Sequence, residues 1–260
     1  MAEGVSKILL ILLCALSAGC VAVQPAVQPA SREGTLRIGI TPDYPPMIFK
    51  AGEEIKGVEA DFGNLLAKEL KRTPRFIELP WDDLIPALIG GKIDIIMSGM
   101  SVTDARKVRV DFLEPYMKSG LMTLMRAEDV SKYPTLKSIK ESFTNVGVVK
   151  GTTGEVFARS NFTQAQQIIP LTKASDSVYP IKNWRIDLFV HDGPAIAWLV
   201  SENEADLKGF WEPLNEEHLG WAVNRGDKEL LVLVNSVIRK WKSDGTLREV
   251  LKHWLPYLKE

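Results

Sequence analysis

Reactive side chains are scarce in this sequence, which has two cysteines and three histidines among 260 residues. Two cysteines are too few for the disulfide framework of a small secreted scaffold. The histidines at 191, 218 and 253 have spacings that suit no metal site, and no nucleophile elbow or Rossmann glycine run occurs. We therefore expect no metal, no cofactor and no catalytic residue.

An excess of charge is absent too, since 32 lysines and arginines stand against 33 aspartates and glutamates. A formal net charge of -1 gives no reason to expect nucleic acid or another polyanion as a partner. The hydrophobic fraction of 45% excludes a disordered chain. At 260 residues, the chain can bury the core of one large domain or of two ordinary ones.

The N-terminal segment lacks a hydrophobic run of membrane-spanning length. The run from Ile8 to Ala18 is shorter than the ~20 residues of a transmembrane helix and is typical of the apolar region of a signal peptide. It is followed by Cys20, and LSAGC resembles the lipobox of bacterial lipoproteins. We predict a lipoprotein signal peptide over residues 1–19 and a mature chain that begins at a lipidated Cys20. An ordinary cleaved signal peptide is the alternative.

The next segment, residues 20–34, contains little that a core could bury. Val-Gln-Pro-Ala occurs at 23–26 and again at 27–30, a Pro-rich and uncharged composition typical of an extended spacer. We expect this tether to hold a folded body off a membrane, outside the cytoplasm, through the lipid on Cys20. The sequence does not indicate whether that membrane is the inner or the outer one.

From Thr35 onward, β-branched runs alternate with segments whose apolar residues have helical spacing. One series covers Leu36 to Met97, and a second covers Val146 to Ser201. Strands separated by helices in this order indicate βαβ units and a mostly parallel sheet. We therefore predict an α/β fold with two lobes, each a mostly parallel sheet flanked by helices. Two C-terminal helices follow, with Gly245 ending one and Thr246 capping the other.

Two strand-like runs lie outside these series, one from Gly120 to Met125 and one from Leu219 to Val223. Two crossover strands that join two lobes make a hinge with a cleft, where small ligands usually bind. We predict a first lobe formed by residues 35–122 and 223–260. The second lobe, including the hinge strands, is expected over residues 123–222.

Three segments carry a family resemblance. They are LRIGITPDYPP at 36–46, Gly57 to Phe62, which is a looser form of a Gly-Phe-Asp-hydrophobic-Asp-Leu pattern, and, most strongly, Trp81 to Gly120. In this order and spacing they resemble the extracellular solute-binding proteins of family 3, the periplasmic amino-acid receptors of ABC transporters. The resemblance covers nearly all of Thr35 to Leu258. It implies a type II periplasmic-binding-protein fold that closes over a small polar L-amino acid and delivers it, as a monomer, to an ABC permease.

A carboxylate-binding group is expected where a buried strand ends before Ser98. The chain turns there through small residues, and a helix capped by Thr103 directs its first N–H groups, which favour anions, into the cleft. Arg106 adds a guanidinium that can bind a carboxylate through two hydrogen bonds. The expected clamp for the ligand α-carboxylate consists of Ser98, Gly99, Ser101, Thr103 and Arg106. The alternative is a solvated Arg106 that pairs with Asp104 or Asp111.

The second lobe is expected to bind the ammonium group of the ligand. Asp192 follows a buried strand and matches the family position for this role, and a carboxylate buried there needs a cation. An N-cap of the following helix is the alternative role for Asp192. The loop that begins at Lys150 also matches the family. Its Thr152 and Thr153 are expected to complete carboxylate recognition through hydroxyl and N–H groups.

The resemblance also implies which residues surround the ligand side chain. Tyr44 and Trp81 match aromatic positions that flank it, with a role in the core as the alternative. Thr41 stands where the family commonly has an acidic residue that holds cationic ligands. With Lys150 and His191 also placed at the cleft, we expect a polar neutral or acidic amino acid.

Two other functions fit the same fold. GEVFARSNF at 154–162 and KHWLPY at 252–257 resemble periplasmic cyclohexadienyl (arogenate/prephenate) dehydratases, which need a proton donor. Gly193 and Ala195 offer no second carboxylate beside Asp192, so we expect a receptor and not an enzyme. A ligand-sensing module for signalling is the third reading.

Overall fold

The computed structural model describes residues 34–257. The predicted signal peptide, Cys20 and all but the last residue of the predicted tether lie outside the described residues. Within the described range, no helix has both the length and the hydrophobicity of a membrane span.

Short strands and helices alternate along most of the described chain. The strands are β1 (Thr35–Ile40), β2 (Asp43–Tyr44), β3 (Ile48–Ala51), β4 (Glu54–Lys56), β5 (Thr73–Glu78), β6 (Ile95–Ile96), β7 (Asp111–Phe112), β8 (Met117–Ser119), β9 (Leu121–Arg126), β10 (Asn145–Val149), β11 (Gln167–Leu171), β12 (Leu188–Asp192), β13 (Leu207–Phe210), β14 (Glu217–Leu219) and β15 (Ala222–Val223). The α-helices are α1 (Val58–Glu69), α2 (Leu84–Ile89), α3 (Asp104–Lys107), α4 (Leu136–Lys140), α5 (Thr153–Asn161), α6 (Val178–Lys182), α7 (Gly193–Glu202), α8 (Lys228–Asp244) and α9 (Thr246–Trp254). Short 3-10 helices cover Trp81–Asp83, Ala127–Lys132 and Ala174–Ser177.

The five strands of the first sheet have the order β5-β1-β6-β15-β7. β1 pairs in parallel with β5 and β6, whereas β15 pairs antiparallel with both β6 and β7. Four of these five strands therefore run in one direction, and β15 opposes them. The second sheet, β11-β10-β12-β9-β13, repeats this plan with β9 as the opposing strand. This confirms the prediction of an α/β fold with two mostly parallel sheets.

Two short strands carry the chain between the sheets. β8 and β14 pair antiparallel with each other, and each leads into the opposing strand of a sheet. Both lie earlier than the predicted runs, and each ends directly before a glycine that other atoms approach closely. A Cβ at Gly120 would lie 2.5 Å from the Asn215 carbonyl oxygen, and one at Gly220 would lie 2.9 Å from Val102 Cγ2. The lobe boundaries themselves, 35–122 with 223–260 and 123–222, stay a prediction.

Aromatic side chains fill the centre of the first-lobe core. Phe62 from α1 stacks on Trp241 from α8 with ring centroids 5.7 Å apart, and Tyr116 stacks on Trp221 at 5.3 Å. All four are buried. Truncating one such buried aromatic to alanine typically costs about 3–5 kcal/mol. Because Tyr116 precedes β8 and Trp221 precedes β15, this cluster fixes the chain on both sides of the crossover.

The last two helices meet at Gly245. α8 ends there as predicted, with a φ of 90° that lies in the left-handed region favoured by glycine. The prediction that Thr246 caps α9 is wrong. Gly245 also occupies the N-cap position of α9, and Thr246 is already helical, because a single residue separates the two helices.

Candidate ligand-binding site

A cavity of about 140 Å³ lies between the two sheets, far larger than the ~10–15 Å³ that one water molecule needs. Most of its walls come from residues at or just beyond the carboxyl ends of parallel strands, where α/β folds usually place binding groups. On the first-lobe side it is lined by Thr41, Asp43, Tyr44, Pro80, Trp81, Ser98, Gly99, Ser101 and Arg106. On the second-lobe side it is lined by Val149, Thr152, Thr153, Thr172, Lys173, Ala174, His191 and Asp192.

The Arg106 guanidinium is held at the wall of this cavity by backbone carbonyls. Nη1 donates to the carbonyl of Ser101 at 2.8 Å, and Nη2 lies 3.4 Å from the carbonyl oxygen of Gly151 on the other lobe. The guanidinium also lies 5.2 Å from the ring centroid of Trp81. Burial lowers the pKa of Arg106, against the effect of the Asp192 charge, but arginine keeps its charge in proteins. The charged guanidinium group of Arg106 therefore faces the cavity.

The surface alternative for Arg106 finds no support in these contacts. Asp104 pairs with Lys107 at 3.1 Å, and Asp111 pairs with Lys228. Within residues 34–257, no carboxylate lies within ion-pairing distance of Arg106.

Two predicted site residues do not line the cavity. Thr103 Oγ1 accepts the Arg106 backbone N–H at 3.3 Å, so this hydroxyl caps α3 and supports the clamp indirectly. Lys150 is exposed, and its ammonium lies 3.8 Å from the Asp82 carboxylate across the cleft. The structure therefore places the Lys150 side chain across the outside of the two lobes and does not bring it together with the predicted site residues that line the cavity.

Asp192 is 7% exposed and ends β12 at the cavity wall. Burial, assisted by the Glu217 charge, raises the pKa of Asp192 to about 7, although the nearby Tyr44 hydroxyl and the Arg106 cation act in the opposite direction. Its Oδ1 atom is buried and has no hydrogen-bond partner in the described part of the chain. The side chain does not cap α7, although Asp192 occupies the N-cap position. This carboxylate therefore lacks the cation that its burial requires.

His191 contributes an uncharged ring. Its Nδ1 accepts the backbone N–H of Asp192 at 2.8 Å, which places the imidazole proton on Nε2. Burial lowers the pKa of His191 to about 4, so the ring is neutral at physiological pH. Its edge meets Tyr44 of the other lobe, with ring centroids 5.2 Å apart. With Lys150 outside and His191 neutral, the two cations that favoured an acidic ligand are not available.

The hydroxyl groups of Thr152 and Thr153, the two predicted site threonines of the second lobe, both donate hydrogen bonds to protein acceptors. Thr152 donates to the Val149 carbonyl at 2.7 Å and accepts the Glu155 N–H at 3.4 Å, as the N-cap of α5. Thr153 donates to the Glu217 carboxylate at 3.0 Å. Both hydroxyl groups therefore donate to protein acceptors in this structure, and the role of the two residues in carboxylate recognition stays a prediction. What they present to the cavity is the N-terminal turn of α5, whose first N–H groups lack helical partners.

The first-lobe loops pack tightly around Tyr44. The Tyr44 hydroxyl is buried near the Asp192 carboxylate, and burial together with that carboxylate raises the pKa of the hydroxyl. Gly99 has a φ of 63°, and a Cβ there would lie 2.7 Å from the Tyr44 ring. Thr41 donates its hydroxyl to the Leu79 carbonyl and its backbone N–H to Ser98 Oγ, both at 2.9 Å. Glycine is thus required at position 99 for the ring to form the cavity wall.

Sequence reasoning missed three charged residues. Asp43 and Lys173 line the cavity, and Glu59 is buried behind it. Lys173 lies just beyond the carboxyl end of β11. Because α/β folds place binding groups at the carboxyl ends of parallel strands, its position in the sequence could have identified it. Asp43 directly precedes Tyr44 in the segment LRIGITPDYPP, where only the aromatic residue and Thr41 were predicted to face the ligand. No sequence signal distinguishes Glu59 from the exposed acidic residues of a helix.

Glu59 joins the binding loop to both ends of the crossover. Its Oε1 accepts the Gly99 N–H and the Tyr116 hydroxyl, and its Oε2 accepts the Trp221 indole N–H, all at 2.7 Å. Burial raises the pKa of Glu59 to about 7, against the effect of these hydrogen bonds. The side chain is completely buried. One carboxylate therefore sets the relative positions of three distant chain segments.

Comparisons with known proteins agree with this architecture. The model of the bacterial extracellular solute-binding proteins, family 3, matches residues 36–257. The L-cystine-binding protein TcyJ of Escherichia coli is 27% identical, with 94% of this chain and 91% of that protein covered. The structure of an ABC-transporter binding component from Wolinella succinogenes, complexed with lysine, gives a TM-score of 0.81 at 27% identity and covers 88% of this chain and 100% of that one.

A further structure links the family to an enzyme lineage. The ancestral amino acid-binding protein AncCDT-1, described as a precursor of cyclohexadienyl dehydratase, is 34% identical with a TM-score of 0.79. The similarity covers 85% of this chain and 95% of that one. From the match over residues 36–257 and the fold around this cavity, the chain belongs to the bacterial extracellular solute-binding proteins of family 3.

Proposed function

We propose that this protein captures a polar L-α-amino acid in the cavity between its lobes and delivers it to an ABC permease. One observation carries the proposal: a guanidinium of one lobe and a buried carboxylate of the other, neither of which pairs with a charged side chain among the described residues, face the same cavity. Arg106 binds the α-carboxylate, and Asp192 Oδ1 accepts a hydrogen bond from the α-ammonium. A zwitterion therefore supplies both missing partners.

Binding and closure are linked in this arrangement. Trp81 donates its indole N–H to the Gly151 carbonyl at 3.0 Å, and Tyr44 meets His191, so the lobes touch around the cavity. A ligand that contacts both lobes has its full set of partners in this closed arrangement alone. Closure then follows from the higher affinity of the ligand for the closed state. The relatives that bind L-cystine and lysine support an amino acid as that ligand.

The test is a thermal-shift and calorimetry screen of the described domain against the twenty amino acids and L-cystine. A ligand at 100 times its dissociation constant adds about 2.7 kcal/mol to the free energy of unfolding. We expect Arg106→Ala to abolish the response to the best ligand. Arg239→Ala is the matched control, because Arg239 is exposed and pairs with Glu114, and neither residue lines the cavity. A protein that responds to no amino acid would contradict the proposal.

We also propose that the protein is anchored to a membrane outside the cytoplasm. A lipid on Cys20 and the Pro-rich tether would keep a monomeric receptor close to its permease, outside the cytoplasm. The lipobox-like LSAGC supports this arrangement. Metabolic labelling with an alkyne fatty acid should mark the wild-type protein and leave Cys20→Ser unlabelled. Label on Cys20→Ser, or none on the wild type, would contradict the lipid anchor.

A dehydratase is the second candidate function, because Asp192 has the protonation behaviour of a general acid. A pKa near 7 lets this carboxyl carry a proton for a departing hydroxyl at neutral pH. Gly193 and Ala195 offer no second carboxylate beside Asp192, but the Glu217 charge raises its pKa. Incubation with prephenate tests this candidate. Formation of phenylpyruvate that Asp192→Asn abolishes would support an enzyme, and no product would exclude this reaction.

A further inference from the structure

The cavity contains a second pair of opposite charges besides Arg106 and Asp192. Asp43 lines it from the first lobe, and Lys173 lines it from the second. The first lobe therefore contributes a cation and an anion, and the second lobe contributes an anion and a cation. Each pair is split between the lobes, so each can hold one end of a ligand only when the lobes meet.

Asp43 lacks a fixed partner in this arrangement. It is half-buried in β2, and within the described range its carboxylate forms no ion pair and no hydrogen bond to another residue. Burial raises the pKa of Asp43 to about 6, the Lys173 charge lowers it, and the Asp176 charge raises it. Asp176 does not line the cavity, and its carboxylate accepts the Lys173 backbone N–H at 3.2 Å.

Lys173, on the second lobe, also lacks an ion-pair partner among the described residues. It follows β11 and precedes the 3-10 helix Ala174–Ser177, which brings it to the cavity wall beside Thr172. Its side chain is exposed, and no carboxylate lies within 4 Å of its ammonium in the described part of the protein. Asp43 and Lys173 thus influence each other through space without forming an ion pair, and both line the same cavity.

We propose that Asp43 and Lys173 form a second polar subsite, and that it binds a distal ligand group that has both a hydrogen-bond donor and an acceptor and no net charge. A carboxamide, a ureido group or a second zwitterionic amino-acid head has this chemistry. A distal cation would approach the Lys173 ammonium, and a distal anion would approach the Asp43 carboxylate. Either like-charge contact is costly and provides specificity by repulsion.

This inference rests on the proposed amino-acid receptor and narrows its ligand class. Calorimetry with five matched ligands tests it: L-glutamine, L-glutamate, L-citrulline, L-arginine and L-cystine. Glutamine and glutamate share one shape, as do citrulline and arginine, so each pair isolates the distal charge. We expect the wild type to bind glutamine or citrulline at least about tenfold more tightly than the charged counterpart, and cystine more tightly than arginine.

Charge-removing variants assign the effect to the two side chains. Lys173→Met should reduce the preference for citrulline over arginine by about tenfold, since it removes the repulsion of a distal cation. Asp43→Asn should likewise reduce the preference for glutamine over glutamate by about tenfold, since it removes the repulsion of a distal anion. The matched controls are Lys182→Met and Asp206→Asn, which remove the partners of an ion pair 2.7 Å long outside the cavity. Both controls should keep the wild-type preferences.

The outcomes separate this inference from the receptor proposal. Equal or tighter binding of arginine or glutamate by the wild type would overturn the second subsite and leave the receptor intact. Preferences that persist in Lys173→Met and Asp43→Asn would also overturn it. Binding of none of the five ligands, nor of any other amino acid, would overturn both.

Discussion

At the scale of single residues, the protonation state of Asp192 decides whether the cavity can accept an ammonium group. Its carboxylate is buried, and one oxygen lacks a hydrogen-bond partner among residues 34–257. With a pKa near 7, the group is about half protonated in the empty site at neutral pH. A bound ammonium stabilises the ionised form, so binding lowers this pKa and releases protons.

We therefore predict that ligand affinity rises with pH between about 6 and 8. One unit below its pKa, Asp192 is mostly protonated, and affinity should be weaker by about tenfold than in the ionised state. Calorimetry in buffers of different ionisation enthalpy measures both the affinity and the protons released. His191 does not titrate in this range, because its pKa is about 4.

Two other groups near the cavity titrate in the same window, Asp43 with a pKa of about 6 and Glu59 with a pKa of about 7. Asp43→Asn should retain most of the pH dependence, whereas Asp192→Asn should bind weakly with a flat profile. A pH profile that is unchanged in Asp192→Asn would show that another group controls binding.

At the scale of elements, the loop between β10 and α5 connects the two lobes through hydrogen bonds. The Gly151 carbonyl accepts the Trp81 indole N–H at 3.0 Å and lies 3.4 Å from Arg106 Nη2. Gly151 has a φ of 75°, and a Cβ there would lie 2.5 Å from Asp82 Oδ1. The loop therefore approaches the first lobe as closely as it does because residue 151 has no side chain.

Gly151→Ala should weaken ligand affinity by about tenfold or more, because the new methyl group must push the lobes apart or displace Asp82. Gly52→Ala is the matched control. Its φ of 66° imposes similar backbone strain, and no atom lies within 4 Å of its Cβ position. Calorimetry should show normal affinity for this control, and urea unfolding should show a similar loss of stability in both variants. Equal affinity in the two variants would contradict the role of Gly151 in closure.

At the scale of the whole molecule, Glu59 connects ligand binding with the crossover. It holds Gly99 at the cavity, Tyr116 before β8 and Trp221 after β14 through three hydrogen bonds. These residues are separated by 40 to 162 positions from Glu59 in the sequence. A change at this one side chain is therefore transmitted to the binding loop and to both connecting strands.

Glu59→Gln should lower the free energy of unfolding by about 1–3 kcal/mol at pH 7, because the new amide turns a donor toward the Trp221 indole N–H. Urea unfolding measures this loss, and Glu141→Gln, at an exposed position with a 3.9 Å partner, is the control.

The contribution of Glu59 to the stability of the wild-type protein decreases as pH rises. Burial raises the Glu59 pKa to about 7, above the unfolded value, so stability is lost as pH rises from about 4.5 to 7. Wild-type stability, and a wild-type pH trend, in Glu59→Gln would contradict this role.

The periodicity of apolar residues predicted most of the elements, because helical and strand spacing is a local property of the chain. The alternation from Leu36 to Met97 and from Val146 to Ser201 corresponds to the helices and parallel strands of two sheets. Ser98 and Asp192 were likewise predicted to face the cleft because each follows or ends a buried strand. The crossover was less predictable, since Gly120 and Gly220 interrupt strands through contacts with distant residues.

The sequence by itself determined the two-sheet α/β architecture and the family, and it predicted Arg106 and Asp192 at the cleft, where both line the cavity. Only the tertiary structure decided which charges face that cavity. It placed Lys150 outside, made His191 neutral and brought Asp43, Lys173 and Glu59 to the binding region. The reason is physical: hydrophobic spacing is set by neighbours in the chain, whereas the ionisation and the orientation of a polar group depend on burial and on partners that only folding brings close.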